Sequence, residues 1–141
     1  MEFRKNDIVT LEIVDCGTDG EGIGKADGFT VFVKDAVIGD TVTAKIMKAK
    51  KNYGYGRLME ILNASPYRVE PVCPSARQCG GCQLQAVSYE EQKVFKEKKL
   101  RGHLERIGGF TNLPMEPLIG MDEPYHYRNK AQFPVGRNKE G

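Results

Sequence analysis

This sequence lacks any long apolar run, any marked net charge, any internal repeat and any low-complexity tract. No stretch approaches the roughly 20 apolar residues that carry a helix across a bilayer, which excludes a helical membrane anchor. The start, Met1-Glu-Phe-Arg-Lys-Asn-Asp7, has no apolar signal-peptide core. A cytoplasmic chain with no membrane and no obligate protein partner is therefore expected. In that compartment disulfides are rare, and clustered cysteines more often bind metal. A net charge of +2 is too small to point to a nucleic-acid partner by itself. Its distribution says more. Residues 1–62 hold 9 Lys+Arg against 10 Asp+Glu, and residues 63–141 hold 12 against 9, so the basic excess lies in the second half. With 141 residues, 28% charged and 40% hydrophobic, the composition is that of a folded soluble chain of one ordinary domain or two small ones.

What is present begins with short β patterns. Val9-Thr-Leu-Glu-Ile-Val14 alternates apolar and polar residues, the period of a half-buried strand. A glycine-dense turn follows over Cys16–Gly24, then Phe29–Val33, a turn ending at Gly39-Asp40, Thr41–Ile46 and Tyr55–Leu62. Short strands separated by Gly/Asp turns predict a small, closed or nearly closed antiparallel barrel. The glycine turn is not read as a phosphate loop, because such a loop leads from a strand into a helix. Here it leads into Phe29–Val33, and a hairpin with a bulge is expected.

Lys45, Lys48, Lys50, Lys51 and Arg57 occur together with no acidic residue among them, and Tyr53 and Tyr55 lie between the last two. Cations beside exposed aromatics suit single-stranded RNA, which needs phosphate attraction and a stacking platform for bases. A solvated hairpin tip is the competing reading. Cys16 stands apart beside a turn, where a half-buried filler residue is expected.

Pro66, Pro71 and Pro74 bracket a connector over residues 63–72. Ser88-Tyr-Glu-Glu91 is a capping box that opens a helix predicted to run to about Ile107, where Gly108-Gly109 stops it. Tyr89, Leu100, Leu104 and Ile107 share one face while Val94 and Phe95 point elsewhere, so a helix covered on more than one side is expected. Gly102 in its interior predicts close packing there. The remaining face, with Lys93, Lys96, Lys98, Lys99, Arg101 and Arg106, reads as solvated.

Between connector and helix lies Cys73-Pro-Ser-Ala-Arg-Gln-Cys79-Gly-Gly-Cys82, which holds three of the four cysteines within ten residues. Glycine pairs let a chain wrap closely around a metal. Zinc sites and cubane iron–sulfur clusters normally take four ligands, so three thiols leave one to be found. Four readings compete. A disulfide conflicts with the expected compartment, and a redox Cys79-Gly-Gly-Cys82 pair lacks its usual βαβ setting. Zinc with His103 or His126 as fourth ligand is chemically sound. An iron–sulfur cluster fits three local thiolates and one distant one.

Together these residues resemble the RNA (uracil-C5-)-methyltransferases that carry an N-terminal TRAM domain, of the 23S rRNA uracil-5-methyltransferase type. The resemblance rests on Asp19-Gly-Glu-Gly-Ile-Gly24, Phe32-Val33 and the glycine-rich last strand. It also rests on the cysteine loop with Gln83-Leu-Gln85, and on Tyr127-Arg-Asn-Lys-Ala-Gln-Phe-Pro-Val-Gly136. It implies a mainly β chain with α structure. An OB-like five-stranded antiparallel barrel would occupy residues 1–62 and bind RNA. A connector, cysteine loop and one helix would follow over 63–110, then the truncated start of a central α+β domain over 111–141.

The resemblance further implies that Cys73, Cys79 and Cys82 are three of four ligands of a [4Fe–4S] cluster, and that Lys45, Lys48, Lys50, Lys51, Tyr53, Tyr55 and Arg57 contact rRNA or tRNA. It implies methyl transfer from S-adenosylmethionine to uracil C5, by addition of an enzyme cysteine to C6. The residues of that chemistry would lie downstream, so no catalytic residue is placed here and this stretch alone is expected to be inactive. The alternative is a self-contained zinc- and RNA-binding adaptor with a four-ligand site.

Overall fold

The computed structural model describes residues 3–133 and 135–140. Met1, Glu2, Pro134 and Gly141, which fall within the expected segments 1–62 and 111–141, lie outside the described residues. Five strands, β1 (Ile8–Cys16), β2 (Gly22–Ala26), β3 (Phe29–Val33), β4 (Thr41–Ala49) and β5 (Tyr53–Asn63), close into a barrel in the order β1-β2-β3-β5-β4. Alternation decides what points inward. Val9, Leu11 and Ile13 of β1, Phe29, Val31 and Val33 of β3, and Val42, Ala44 and Ile46 of β4 meet Leu58 of β5 in one core. A one-residue slip in any of these strands would turn its core face to water, so the pattern also fixes the register.

Local chemistry sets the turns. Asp27 and Gly28 both have positive φ, 48° and 80°, which is the two-residue geometry that suits the twist of a β2–β3 hairpin. The expected bulge in the first hairpin lies between Ile13 and Asp15. Three further register shifts interrupt the β4–β5 pairing, and such bulges let a long hairpin bend around a small barrel.

One feature of the expected barrel is corrected. The sheet is mixed, not wholly antiparallel: β3 and β5 run parallel, from Thr30 opposite Tyr53 to Val33 opposite Gly56. The reason is topological. A closed ring with an odd number of strands cannot alternate direction all the way round, so one neighbouring pair must run parallel. Along β5, Gly54 and Gly56 face inward and Tyr53 and Tyr55 outward. A Cβ on Gly54 would sit 2.7 Å from the Lys48 carbonyl oxygen and 3.1 Å from the Phe29 ring. The bare backbone at these positions lets β5 close against β3 and β4.

After β5 the chain folds back onto the barrel around Asp40, whose side chain is fully buried. Its carboxylate accepts hydrogen bonds from the Val37 N–H at 2.7 Å and the Ser65 N–H at 2.8 Å. Arg68 pairs with it at 2.5 Å and also donates to the Asp35 carbonyl at 2.7 Å. The Ser65 hydroxyl donates to the Ile38 carbonyl at 2.6 Å. Arg68 begins a short antiparallel bridge, with Val69 N–H donating to Ala86 C=O and Ser88 N–H to Tyr67 C=O, both at 2.8 Å. That bridge is the neck of the cysteine loop.

Within the loop is a single helical turn, α1 (Ala76–Cys79), ended by Gly80 at φ 72°. Beyond the neck, α2 (Tyr89–Gly102) starts at Ser88, whose hydroxyl accepts from the Glu91 N–H at 3.4 Å, as the capping box predicts. A π-helical turn, His103–Ile107, continues it to the Gly108-Gly109 stop. Two expectations about this helix are not met. It buries no residue, and Leu100 and Ile107 are exposed. Nor is Gly102 closely packed: a Cβ there would meet nothing within 4 Å, and the residue instead precedes the wider π turn.

Residues 111–133 and 135–140 form neither helix nor strand. Part of this segment lies along α2, where the Met121 N–H donates to the Tyr89 hydroxyl at 2.7 Å and the Leu118 N–H to Glu97. Among the described residues, no helix is long and apolar enough to cross a membrane.

Burial alone would raise the Asp40 pKa. The Arg68 guanidinium and the Ser65 and Val37 N–H groups more than offset it and hold the carboxyl below its ordinary value. The sign follows from that depression. Asp40 contributes stability above the unfolded-chain pKa of about 3.9, and the contribution is lost as pH falls through the lower folded value. Arg68→Leu leaves a buried carboxylate with backbone donors only and should cost about 3–5 kcal/mol in urea unfolding at neutral pH. In Asp40→Asn the decline of stability on the acid side should be shallower than in the unaltered protein.

Candidate nucleic-acid interface and cysteine loop

The strand order β3-β5-β4 lays three residues side by side on the outside of the barrel. Phe32 on β3 is in register with Tyr55 on β5, and Tyr55 with Lys48 on β4. Tyr53 stands two positions away on the same face. The rings of Phe32, Tyr53 and Tyr55 form a mutual cluster with centroids 5.7, 6.0 and 6.1 Å apart. Outward-facing aromatics in contact with one another remove little area from water. Tyr55 is still 46% exposed, so the cluster offers a surface for stacking rather than filling a core.

The sequence-predicted cations border this platform. Lys48, Lys50, Lys51 and Arg57 are exposed and Lys45 half-buried. Lys45 is directly opposite Arg57 in the β4–β5 ladder. Like charges facing each other across a ladder are unfavourable, and an anion held between them would relieve the repulsion. None of the five takes part in an ion pair among the described residues. All seven residues named from the sequence lie on the β4–β5 hairpin, with Lys45, Lys48, Tyr53, Tyr55 and Arg57 in its strands and Lys50 and Lys51 at its tip. The structure adds Phe32, which sequence reasoning missed because it belongs to a different strand.

The cysteine loop is fastened to the same barrel. Arg77 donates to the Leu58 carbonyl at 3.0 Å and lies 3.7 Å from Asp35, while Lys34 donates to the Arg77 carbonyl at 3.4 Å. Inside the loop, Gln85 accepts from the Cys73 N–H at 3.2 Å and Gln83 donates to the Gly80 carbonyl at 3.1 Å. Cys73, Cys79 and Cys82 are exposed free thiols. As soft donors on one loop with a left-handed glycine hinge, they suit iron or zinc in kind.

Their placement is not that of a closed site. Cys73 and Cys82 border a common cavity of about 220 Å³, Cys79 does not, and no three His, Cys, Asp or Glu side chains among the described residues are gathered to hold a metal. His103 borders a different cleft, between β1 and α2, together with Cys16. His126 lies in the irregular segment after the helix.

The fold is thus a small closed β-barrel carrying an outer aromatic and basic face and a tethered cysteine loop. Residues 3–59, the barrel, match the family model of the TRAM domain. Nearly the whole chain is similar to proteins named as uncharacterized RNA methyltransferases. One from Halalkalibacterium halodurans is 49% identical over 98% of this chain and 30% of its own length. Another, from Clostridium acetobutylicum, is 50% identical over 94% of this chain and 29% of its own. The chain therefore spans about 30% of the length of these relatives. Among solved structures, the tRNA (uracil-54, C5)-methyltransferase of Pyrococcus abyssi, in complex with S-adenosyl-L-homocysteine, is 30% identical. It covers 71% of this chain and 21% of its own, with a TM-score of 0.47.

Cys16 differs chemically from a reactive thiol. Burial, then the Glu21 and Asp15 carboxylates, push its pKa up to about 11, against a small opposing effect of Lys99. At pH 8 only about a thousandth of it is thiolate, the reacting form. Brief maleimide treatment of the reduced protein at pH 8 should therefore label Cys73, Cys79 and Cys82 and leave Cys16 largely unmodified, as read by peptide mass spectrometry.

Proposed function

We propose that this chain is the RNA-binding, iron–sulfur-bearing N-terminal part of an S-adenosylmethionine-dependent RNA (uracil-C5-)-methyltransferase acting on rRNA or tRNA. The observation that carries the reading is the outer barrel face, where a three-ring aromatic cluster is flanked by unpaired cations within a TRAM match. The relatives' printed names support the enzyme class. Within the chain, residues 1–62 bind RNA, residues 63–110 hold the connector, cysteine loop and helix, and residues 111–141 lead into a central region. Lys45, Lys48, Lys50, Lys51 and Arg57 contact phosphates, and Tyr53 and Tyr55 stack on bases. Methyl transfer belongs to the part of such an enzyme that these residues do not span, so the chain alone is inactive.

Cys73, Cys79 and Cys82 supply three thiolates to a [4Fe–4S] cluster. Holding it requires the loop to bring Cys79 to the side that Cys73 and Cys82 already share. Methyl transfer needs no electron, so the cluster serves to set the shape of the loop.

Two measurements test this reading. Lys48→Glu/Lys50→Glu/Lys51→Glu should weaken binding of single-stranded RNA roughly tenfold or more. It should also reduce the slope of log K against log salt by about 2, from the loss of three phosphate contacts. An unchanged affinity and slope would reduce the patch to a solvated tip. Anaerobic reconstitution with ferrous iron and sulfide should give an oxygen-sensitive brown species that Cys73→Ser, Cys79→Ser and Cys82→Ser each abolish and that His103→Ala and His126→Ala leave intact. A single tight zinc lost on either histidine change would instead mark a self-contained adaptor.

A further inference from the structure

The aromatic platform does not end in open solvent. Beside Phe32 and Tyr55 a cavity of about 340 Å³ opens between the barrel and the cysteine loop, at the small end of the ~300–1,000 Å³ typical of ligand sites. One wall is the Phe32–Tyr55 pair, with ring centroids 5.7 Å apart and planes inclined by 32°. Gly56 borders it without a side chain, and Asp19, Lys34 and Gln83 bring polar groups to it. Gln83 is held in place from both sides. Its amide donates to the Gly80 carbonyl at 3.1 Å. The β1–β2 turn presses on it at Gly20, where φ is 85° and an added Cβ would lie 2.9 Å from the Gln83 Cβ.

The geometry points to a site for one unpaired nucleobase, stacked on Phe32 and Tyr55 and read at its edge by Gln83 and Asp19. This inference rests on the RNA-binding reading of the same barrel face and goes beyond it by adding Phe32, Asp19 and Gln83 and a defined place for a base.

Charge separates base from phosphate here. Asp19, Glu21 and Asp35 all border the cavity, and their combined field repels a phosphate. Two of the three are engaged elsewhere: Asp35 lies 3.7 Å from Arg77, and Glu21 folds back over Gly17. Asp19 has no side-chain partner among the described residues. A carboxylate accepts the N–H groups that a base edge offers, an imino N–H or an exocyclic amine. The Gln83 amide still has its carbonyl oxygen to accept and one N–H to donate. Lys34, in the turn just after β3, borders the cavity, and Lys48 is in register with Tyr55, so each is near enough to meet a backbone phosphate next to the stacked base. Single-stranded RNA is recognised in this way, with splayed bases stacked on aromatics and hydrogen-bonded along their edges.

The test uses the 141-residue protein and a fluorescently labelled ten-nucleotide single-stranded RNA, with dissociation constants read by anisotropy over a range of salt. Phe32→Ala should weaken binding about tenfold, the scale of one lost base stack, without changing the salt slope. Phe32→Tyr should restore it. Gln83→Ala, at an exposed loop position, should weaken binding about threefold and alter the ranking of oligo(U), oligo(C) and oligo(A), since it removes an edge contact and no charge. An abasic site in the RNA should weaken binding to the unaltered protein and have no further effect on Phe32→Ala. If Phe32→Ala and Gln83→Ala bind like the unaltered protein while the triple lysine variant loses affinity, the base site is wrong and the RNA-binding face stands. If none of these variants binds more weakly, both readings are overturned.

Discussion

The hydrogen-bonded ion pair between Asp40 and Arg68 is the constraint on which the arrangement of the molecule depends. A closed barrel has no free edge on which to pair a following segment, so anything attached to it must be fastened by side chains. Asp40 does this from the end of the β3–β4 connection. Its carboxylate orders its own turn through Val37, receives the connector through Ser65, and holds Arg68 at the neck of the cysteine loop. A buried charge is unfavourable without such partners, and here one donor comes from the turn of Asp40 itself and two from the connector more than twenty residues on. Chain segments separated by more than twenty residues are thereby brought together at one carboxylate.

From that point the rest can be followed outward. Once the neck is fixed, Arg77 reaches the Leu58 carbonyl and Asp35, and the loop lies against the barrel instead of hanging from it. Lys99, on the helix beyond the neck, donates to the Thr18 carbonyl of the β1–β2 turn. The glycines of that turn then have a clear purpose. Gly20 lets the turn approach Gln83 and Leu84 more closely than any side chain would allow. The glycine-dense stretch between β1 and β2 is a contact surface for the cysteine loop as well as a hairpin turn.

How much of this could be read from the sequence varies with the range of the interaction. Strict alternation is a local signal, and it marks Phe29–Val33 to the residue. The pattern shows β5 only from Tyr55, two residues after its start at Tyr53, because Gly54 and Gly56 interrupt the apolar pattern at the very positions that face the core. Strand direction departs from the antiparallel expectation at the β3–β5 pairing alone, where five strands in a closed ring force a parallel pair. Phe32 gives no local sign that it joins the aromatic cluster, because its neighbours Tyr53 and Tyr55 are more than twenty positions away. Asp40 read as a turn residue, since nothing near it in sequence announces Ser65 or Arg68. Gly102 inside a helix suggests close packing, but it precedes a π turn and has open space around it. The three cysteines were legible as a group, but their side-chain directions depend on how the loop is tethered.

The parallel β3–β5 contact also bears on how the barrel comes into being. The hairpin contacts among β1, β2 and β3 join neighbours in sequence, whereas pairing Thr30 with Tyr53 closes a longer loop at a higher entropic cost, which favours its forming after them. Until β5 is available, β3 and β4 both present open edges, which in a growing chain are the hazardous state. The tyrosines and inward glycines of β5 therefore belong to the last piece of the barrel to arrive. As the chain is synthesised, the surface that would meet RNA exists only after the barrel has sealed, so an unfinished chain cannot display it.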